Sequence, residues 1–375
     1  MKAIIIFSGY NMRAIYAFIR TLEKQFVPYY IIASSTDDEI YETAYKNKVV
    51  SIRQEKKLDL DDVVFCIQQV QKKVKADYYL ISPSTEALNR FILDNKKIFY
   101  DFNCEIPLVE KNLYEKISDK YSFSRICEKH YIQTPKQYFF SNIVMPCVAK
   151  PKEYRSKTSG KVLKPVIILN NNDLDIFLSK FNVNDFYFQE FIEGRSIYLL
   201  YYFYKNNTCL KYSQENLIQQ KGGGSILAAQ SGKNHNTGIS KLFEDLFYSI
   251  GFYGLVMVEI REGVNHTYMI EANPRFWGPS QLFVEADVNF FNALLYEYGF
   301  LSKKPNDTEG KSNSIYFWDD GQSFNEENID ETIFYSFSKQ DFLHNYVQWD
   351  GVNMLRREDT MKVHNKLINS GCYEE

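Results

Sequence analysis

Residues 254–281 read GLVMVEIREGVNHTYMIEANPRFWGPSQ. Two apolar runs, Leu255–Ile260 and Thr267–Ala272, flank a short polar connection holding Gly263 and Asn265, which is the pattern of a β-hairpin. Each run carries one carboxylate where a buried strand would carry an aliphatic side chain, Glu259 in the first and Glu271 in the second. Side chains alternate between the faces of a strand, so Glu271, Asn273 and Arg275 share one face. Two carboxylates on neighbouring strands repel unless a positive charge sits between them. An amide oxygen beside them points to a hard cation held by oxygens, Mg²⁺ or Mn²⁺. The arginine just beyond suits phosphate as that cation's other ligand. A solvated hairpin with Glu and Arg on its wet face is the plainer reading. It accounts for one glutamate, but poorly for Glu-x-Asn-Pro-Arg directly after an apolar run.

Glu271-Ala272-Asn273-Pro274-Arg275, with Glu259 twelve residues upstream, resembles the metal-binding signature of the ATP-grasp superfamily. Biotin carboxylase, carbamoyl-phosphate synthetase and the carboxylate–amine ligases belong to that superfamily. The resemblance implies ATP as a substrate and Mg²⁺ (or Mn²⁺) as the ion, with Glu259, Glu271 and Asn273 as metal ligands. It also implies a mixed α/β and α+β architecture, in which a parallel-sheet pre-ATP-grasp domain precedes a two-subdomain ATP-grasp fold.

Composition is compatible with this. A chain of 375 residues is long for one core and suits two or three domains. At 45% hydrophobic and 24% charged residues with net charge −3, it gives no general reason to expect nucleic acid or membrane as a partner. Cys66, Cys104, Cys127, Cys147, Cys209 and Cys372 form no CxxC pair and read as reduced thiols of a cytoplasmic protein. His130, His235, His266, His344 and His364 are equally scattered, which argues against zinc. Residues 3–7 are too short an apolar run for a signal peptide, and no run approaches the length of a membrane span.

Residues 1–108 alternate strand and helix, which implies a parallel sheet wrapped by helices. Ligands of such sheets lie at the carboxyl ends of strands, here Ser8–Asn11 and Ser82–Glu86. Gly9 alone is no dinucleotide fingerprint, and a P-loop motif is absent from the sequence. Glu86 is a candidate substrate ligand, although a glutamate in a first helical turn also interacts with the helix dipole. Residues 109–300 hold the grasp motifs, with a smaller lid at about 135–190 and a hinge at 186–196.

Residues 109–131 are helical, and Ser118 or Asp119 can cap the helix running to His130. Lys120 and Lys150 resemble the family's two phosphate-binding lysines. Lys150 also follows from its own strand, because an inward-facing lysine beside Val148 needs an anionic partner. The basic loop Lys152–Lys164, with Lys161 near its glycine, suits phosphates. Asn172 or Asp173 is expected to cap the next helix, up to Phe181.

Phe186–Ile192 resembles the hinge whose backbone at Glu190, Phe191 and Ile192 meets adenine. Gln189 and Ser196 stand where the family commonly has acidic or comparable nucleoside ligands. Ile197–Tyr204 and Cys209–Gln214 predict a hairpin around Asn206-Asn207. Lys221-Gly222-Gly223-Gly224-Ser225 allows close backbone approach, so Gly223 and Gly224 join Glu86 and Arg275 as candidates for the substrate pocket. Asp287–Phe300 is an amphipathic helix. Residues 301–375 carry no catalytic signature and are expected to pack on the grasp core or to build a homodimer interface.

The chemistry implied is an ADP-forming carboxylate–amine ligase, with small-molecule carboxylate and amine substrates. Lys150 and Arg275 would be its catalytic cations, neutralising charge during phosphoryl transfer. A bicarbonate-dependent carboxylase or carbamoyl-phosphate-type enzyme is the alternative within enzymes. A nucleotide-binding sensor or partner protein without ligase activity is the alternative outside them.

Overall fold

A computed structural model of the chain describes residues 1–220, 223–306, 308–319, 332–335 and 337–371. Lys221, Gly222 and Cys372, which the sequence singled out, lie outside the described residues.

The first sheet is built from β1 (Lys2–Phe7), β2 (Tyr29–Ala33), β3 (Val49–Ile52), β4 (Tyr78–Ile81) and β5 (Cys104–Glu105), all parallel, in the order β3-β2-β1-β4-β5. Its central strand is apolar on both faces because helices cover both. Ile4 and Ile6 enter one core, and Ala3, Ile5 and Phe7 enter another. Asp59 caps helix Leu60–Lys73, and Thr85 caps helix Glu86–Asp94, each through a side-chain oxygen on a first-turn N–H.

The expected helix over 109–131 is two helices, Lys111–Ser118 and Lys120–Lys129. The break falls at Asp119, whose carboxylate accepts from Arg90 at 2.6 Å and does not cap the second helix. A four-stranded sheet follows from β6 (Gln137–Tyr138), β7 (Cys147–Pro151), β8 (Val166–Ile168) and β9 (Phe186–Glu190), in the order β6-β9-β7-β8. Its own small core holds Cys147, Ala149, Ile168, Phe177, Phe186 and Phe188. The helix crossing it spans Asn171–Lys180, capped by Asn170 and not by Asn172 or Asp173.

The largest sheet comprises β10 (Arg195–Phe203), β11 (Cys209–Gln220), β12 (Ile226–Ser231), β13 (Gly254–Glu262), β14 (Thr267–Asn273), β15 (Ile315–Phe317) and β16 (Thr332–Phe334). The order is β14-β13-β10-β11-β12-β15, with β16 paired to the end of β11. Alternate residues again feed two cores. Tyr198, Leu200, Leu255 and Met257 join the cluster that holds Ile4, while Ile197, Leu199, Val256 and Val258 join the one that holds Ile5. The parallel sheet and this one are therefore packed through shared cores.

Strand β11 runs six residues past its expected end at Gln214. The sequence beyond, Glu215–Gln220, looks like loop because it is polar, yet Gln214, Glu215, Asn216 and Gln219 are buried. Each has a hydrogen-bond partner, which is what keeps a buried polar strand affordable. The helix expected over Asp287–Phe300 is shorter, Phe290–Glu297, and Asn289 caps it through the N–H groups of Phe291 and Asn292. Asp287 has a positive φ of 61° and lies in the turn before it.

Candidate functional site

The opening hairpin forms as β13 and β14, with Glu259 and Glu271 directly opposite each other. The register slips immediately afterwards, Ile260 pairing with Met269, so that Ile270 is the extra residue of a β-bulge. The bulge frees the Ile270 carbonyl, which accepts from Lys150 Nζ at 3.0 Å. One local irregularity thus joins the two jaws of the site. Lys150 reaches it because β7 alternates. Cys147 and Ala149 face the small core, and Val148 and Lys150 face a cavity.

That cavity has a volume of about 610 Å³. It is lined by Lys120 and Lys150, by Glu190, Phe191 and Ile192 at the end of β9, by Gly223 and Gly224, and by Glu259, Glu271, Asn273 and Arg275. The structure therefore gathers most of the residues singled out by sequence around one space. Gly194, in the turn joining β9 to β10, has φ of 136°, and a Cβ there would collide with the Glu262 carbonyl. The connection between the two sheets thus requires glycine.

Four of the expected residues do not line this cavity. Gln189 is on the sheet face that Val148 and Lys150 share, but it is covered by protein and does not line the cavity. It is 2% exposed, and its Nε2 donates to the Pro135 carbonyl at 3.4 Å. Ser196 lies beneath Glu259, donating to its Oε1 at 3.2 Å and accepting from Asn216 Nδ2 at 2.9 Å, so it supports a carboxylate instead of meeting a ribose. Lys161 is exposed in a loop whose Ser156 is tied to Asp185 at 2.6 Å, and the loop sends Lys164 to the cavity instead. Glu86 accepts from Arg90 Nε at 3.0 Å and lines an adjoining cavity of about 420 Å³, which shares Lys120, Glu271, Asn273 and Arg275 with the first.

The site also holds residues the sequence did not single out. Arg261, 3.0 Å from Glu259, lies two residues along the same strand face. The period-two rule that found Asn273 and Arg275 would have found it. Arg13 lines the cavity from helix Met12–Lys24, beside Asn11, which the sequence places at a strand end expected to border a ligand. Asn11 Nδ2 donates to the carbonyls of Ser84 and Phe276, and Arg13 Nη2 donates to Ser225 Oγ at 2.8 Å while its guanidinium lies 3.8 Å from the Trp318 ring centre. Their position at the carboxyl end of β1 was the only sequence signal.

The charges are arranged as a part-buried lattice. Lys120 Nζ is 2.7 Å from Glu271 Oε2, and Asn273 Nδ2 donates to Glu271 Oε1 at 2.7 Å. Arg275 Nη2 donates to Asn273 Oδ1 at 3.1 Å. Burial would raise the Glu271 carboxyl, but Lys120 and the Asn273 amide outweigh it and bring it down to about 2. Burial raises Glu259 despite Arg261, and the like charge of Glu271 adds to the rise. A second positive charge would relieve that strain. Two facing carboxylates and an amide oxygen form an oxygen-only donor set suited to Mg²⁺ or Mn²⁺. The residues present therefore fit such an ion.

Burial, and then the neighbouring Lys120, lower the Lys150 amine to about 8. A bound polyanion favours its charged form, so binding takes up a proton above that pH. Metal-free ATP affinity is expected to fall as pH rises through about 8, by up to about tenfold per unit. Lys150→Arg is expected to flatten the profile, because a guanidinium stays charged. Fluorescence titration with a nucleotide analogue between pH 7 and 10 measures this, and identical profiles would count against a phosphate at Lys150.

A cavity lined by Lys120, Lys150, two facing carboxylates and the backbone of Glu190–Ile192 suits a polyanion together with a divalent cation. Residues 117–279 match the family model described as an ATP-grasp domain, and the chain carries that domain there. Biotin carboxylase from Campylobacter jejuni, in its β-γ-ATP complex, superposes with a TM-score of 0.62 at 14% identity, over 84% of this chain and 74% of that one. The biotin carboxylase domain of Hydrogenobacter thermophilus 2-oxoglutarate carboxylase gives 0.60 at 13% identity, over 84% and 73%. N5-carboxyaminoimidazole ribonucleotide synthetase from Thermotoga maritima gives 0.52 at 13%, over 81% and 77%. No curated protein matches the chain by sequence. The mixed α/β architecture expected from the sequence, with a parallel amino-terminal sheet, is the architecture these structures share. Among the described residues, no helix is long and apolar enough to cross a membrane.

Proposed function

We propose that the chain is a Mg²⁺-dependent, ADP-forming ligase that activates a carboxylate as an acyl phosphate and passes the acyl group to an amine. The observation that carries this reading is Glu259 facing Glu271 across the hairpin, with Lys120, Lys150 and Arg275 around the same cavity. Phosphoryl transfer asks a protein mainly for positioning and charge neutralisation, and this set of side chains offers both. Lys150 would bind the phosphate chain from the lid side, and Lys120 from the start of helix Lys120–Lys129 beside Glu271. Arg275 would hold the transferring phosphoryl group, where a planar fork of donors suits its oxygens.

The N–H groups of Glu190 and Phe191 are engaged by the carbonyls of Lys136 and Pro146. The carbonyls of that segment, together with Ile192, would then face adenine. Glu259, Glu271 and Asn273 would hold Mg²⁺, which would supply positive charge to neutralise the phosphates during transfer. The substrate carboxylate would attack the γ-phosphorus, breaking its bond to the bridging oxygen and releasing ADP. An amine would then displace phosphate from the acyl carbon, losing a proton. Glu86, which lines the adjoining cavity with Arg275, would meet the acceptor.

Bicarbonate as the activated carboxylate is the second reading. It is favoured by the Hydrogenobacter domain, whose complex contains MgADP and bicarbonate. A screen of carboxylate and amine pairs by ADP release, with and without bicarbonate and with mass spectrometry of products, tests both. Turnover requiring an organic acid and an amine supports the first reading, and turnover requiring only bicarbonate and an acceptor supports the second. Tight nucleotide binding with no Mg²⁺-dependent turnover under any condition would overturn both.

A further inference from the structure

Along the chain the histidines are isolated, but folding brings one of them to two aspartates. Asp319 follows β15, Asp350 lies in helix Tyr346–Gly351, and His364 lies in helix Met361–Gly371. One carboxylate oxygen from each aspartate and one ring nitrogen of His364 all lie within 4.8 Å of one another. His364 Nε2 is 3.5 Å from Asp319 Oδ2 and 3.9 Å from Asp350 Oδ1. Asp319 and His364 are 1% and 3% exposed. Arg356 donates to Asp350 Oδ2, which leaves Oδ1 directed at the imidazole.

The imidazole is the unusual member of the cluster. Among the described residues, neither of its ring nitrogens has a hydrogen-bond partner. A buried imidazole ordinarily donates at one nitrogen and accepts at the other. The separations from the carboxylates are long for hydrogen bonds. Ligand atoms about 2.0–2.1 Å from a tetrahedral ion stand about 3.3–3.5 Å from one another. The His364–Asp319 separation of 3.5 Å fits that spacing, and the His364–Asp350 separation of 3.9 Å must shorten on binding.

We propose that Asp319, Asp350 and His364 form a second divalent-cation site, built on elements other than the hairpin, that takes a borderline transition-metal ion of the Zn²⁺ class. One imidazole with two carboxylates suits Zn²⁺ better than Mg²⁺, which prefers oxygen alone. Three protein ligands leave a fourth position for water. The ion's role is structural. It ties the end of β15 to the last two helices, next to the backbone bond from the Met354 N–H to the Phe317 carbonyl at 2.9 Å. It thereby fastens the carboxyl-terminal segment to the edge of the sheet that carries Glu259.

Equilibrium dialysis of the full chain against Zn²⁺, after chelation and without nucleotide, tests this, with bound metal counted by mass spectrometry and unfolding followed thermally. The wild type and Glu271→Gln are expected to bind one equivalent of Zn²⁺ and to gain thermal stability from it. His364→Gln and Asp319→Asn are expected to lose both. Absence of Zn²⁺ binding in the wild type would overturn the proposal, as would retention of the equivalent in His364→Gln. If either variant fails to fold, Co²⁺ loading of the wild type decides. The intense visible bands of a four-coordinate ion support the site, and the weak bands of a six-coordinate all-oxygen ion refute it.

Discussion

Replacing Glu271 by Gln is expected to lower ATP-dependent ADP release by about 10²–10³-fold, the scale on which the loss of one charge-stabilising group usually registers. The amide matches the carboxylate in shape and can still accept from Lys120, so the fold is expected to survive. What disappears is the negative charge opposite Glu259, and with it one arm of the proposed metal site. Glu271 owes its low pKa of about 2 to Lys120 and Asn273, against the effect of burial. A depressed carboxyl contributes stability above its unfolded pKa and loses it as pH falls towards 2. The variant should therefore show less acid sensitivity of its melting temperature than the wild type. ADP release equal to that of the wild type would remove Glu271 from the reaction.

Lys150→Ala is expected to weaken nucleotide binding by about 10²-fold or more, the usual cost of deleting one partner of a buried charged contact. The same substitution is expected to leave thermal stability unchanged or to raise it. Lys150 is 5% exposed, and among the described residues its side chain makes one hydrogen bond, to the Ile270 carbonyl. Burial lowers its amine to about 8, so near neutral pH the folded protein carries a charge that it disfavours. Stability rises with pH between that value and the unfolded lysine pKa, where the unfolded chain binds more protons. A lysine kept for structure would behave in the opposite way. Calorimetry and a nucleotide titration on the same variant separate the two roles, and a large loss of stability with unchanged affinity would reverse the assignment.

The hairpin was legible because two strands adjacent in sequence pair through a short turn, and the period of two then places Glu271, Asn273 and Arg275 together. The parallel sheet was legible for a similar reason. Its strand–helix alternation is a local pattern, and the right-handed crossover restricts how such units assemble. Side-chain direction was harder to read where a strand is covered on both faces. Gln189 and Ser196 sit at strand positions whose inward side is occupied by protein, and their sequence neighbours do not reveal it.

Strand β11 was cut short because buried polar residues look like loop until their partners are known. The chain Gln214–Asn216–Ser196–Glu259 supplies those partners from three strands. Contacts between distant segments were not legible at all. Lys120 with Glu271 joins positions on separate elements, as do Arg13 with Ser225 and His364 with Asp319. Spacing says which residues share a face of one element, but not which element comes to lie opposite.

The central claim is that the hairpin is the metal-bearing jaw of an ATP clamp. Crystals grown with Mn²⁺ and a non-hydrolysable ATP analogue, read by the anomalous signal of manganese, test it most directly. The account predicts a manganese peak bound by Glu259 and Glu271, with the triphosphate running to Lys120 and Lys150 and adenine against Glu190–Ile192. A nucleotide bound elsewhere, or manganese with no contact to either glutamate, would contradict it.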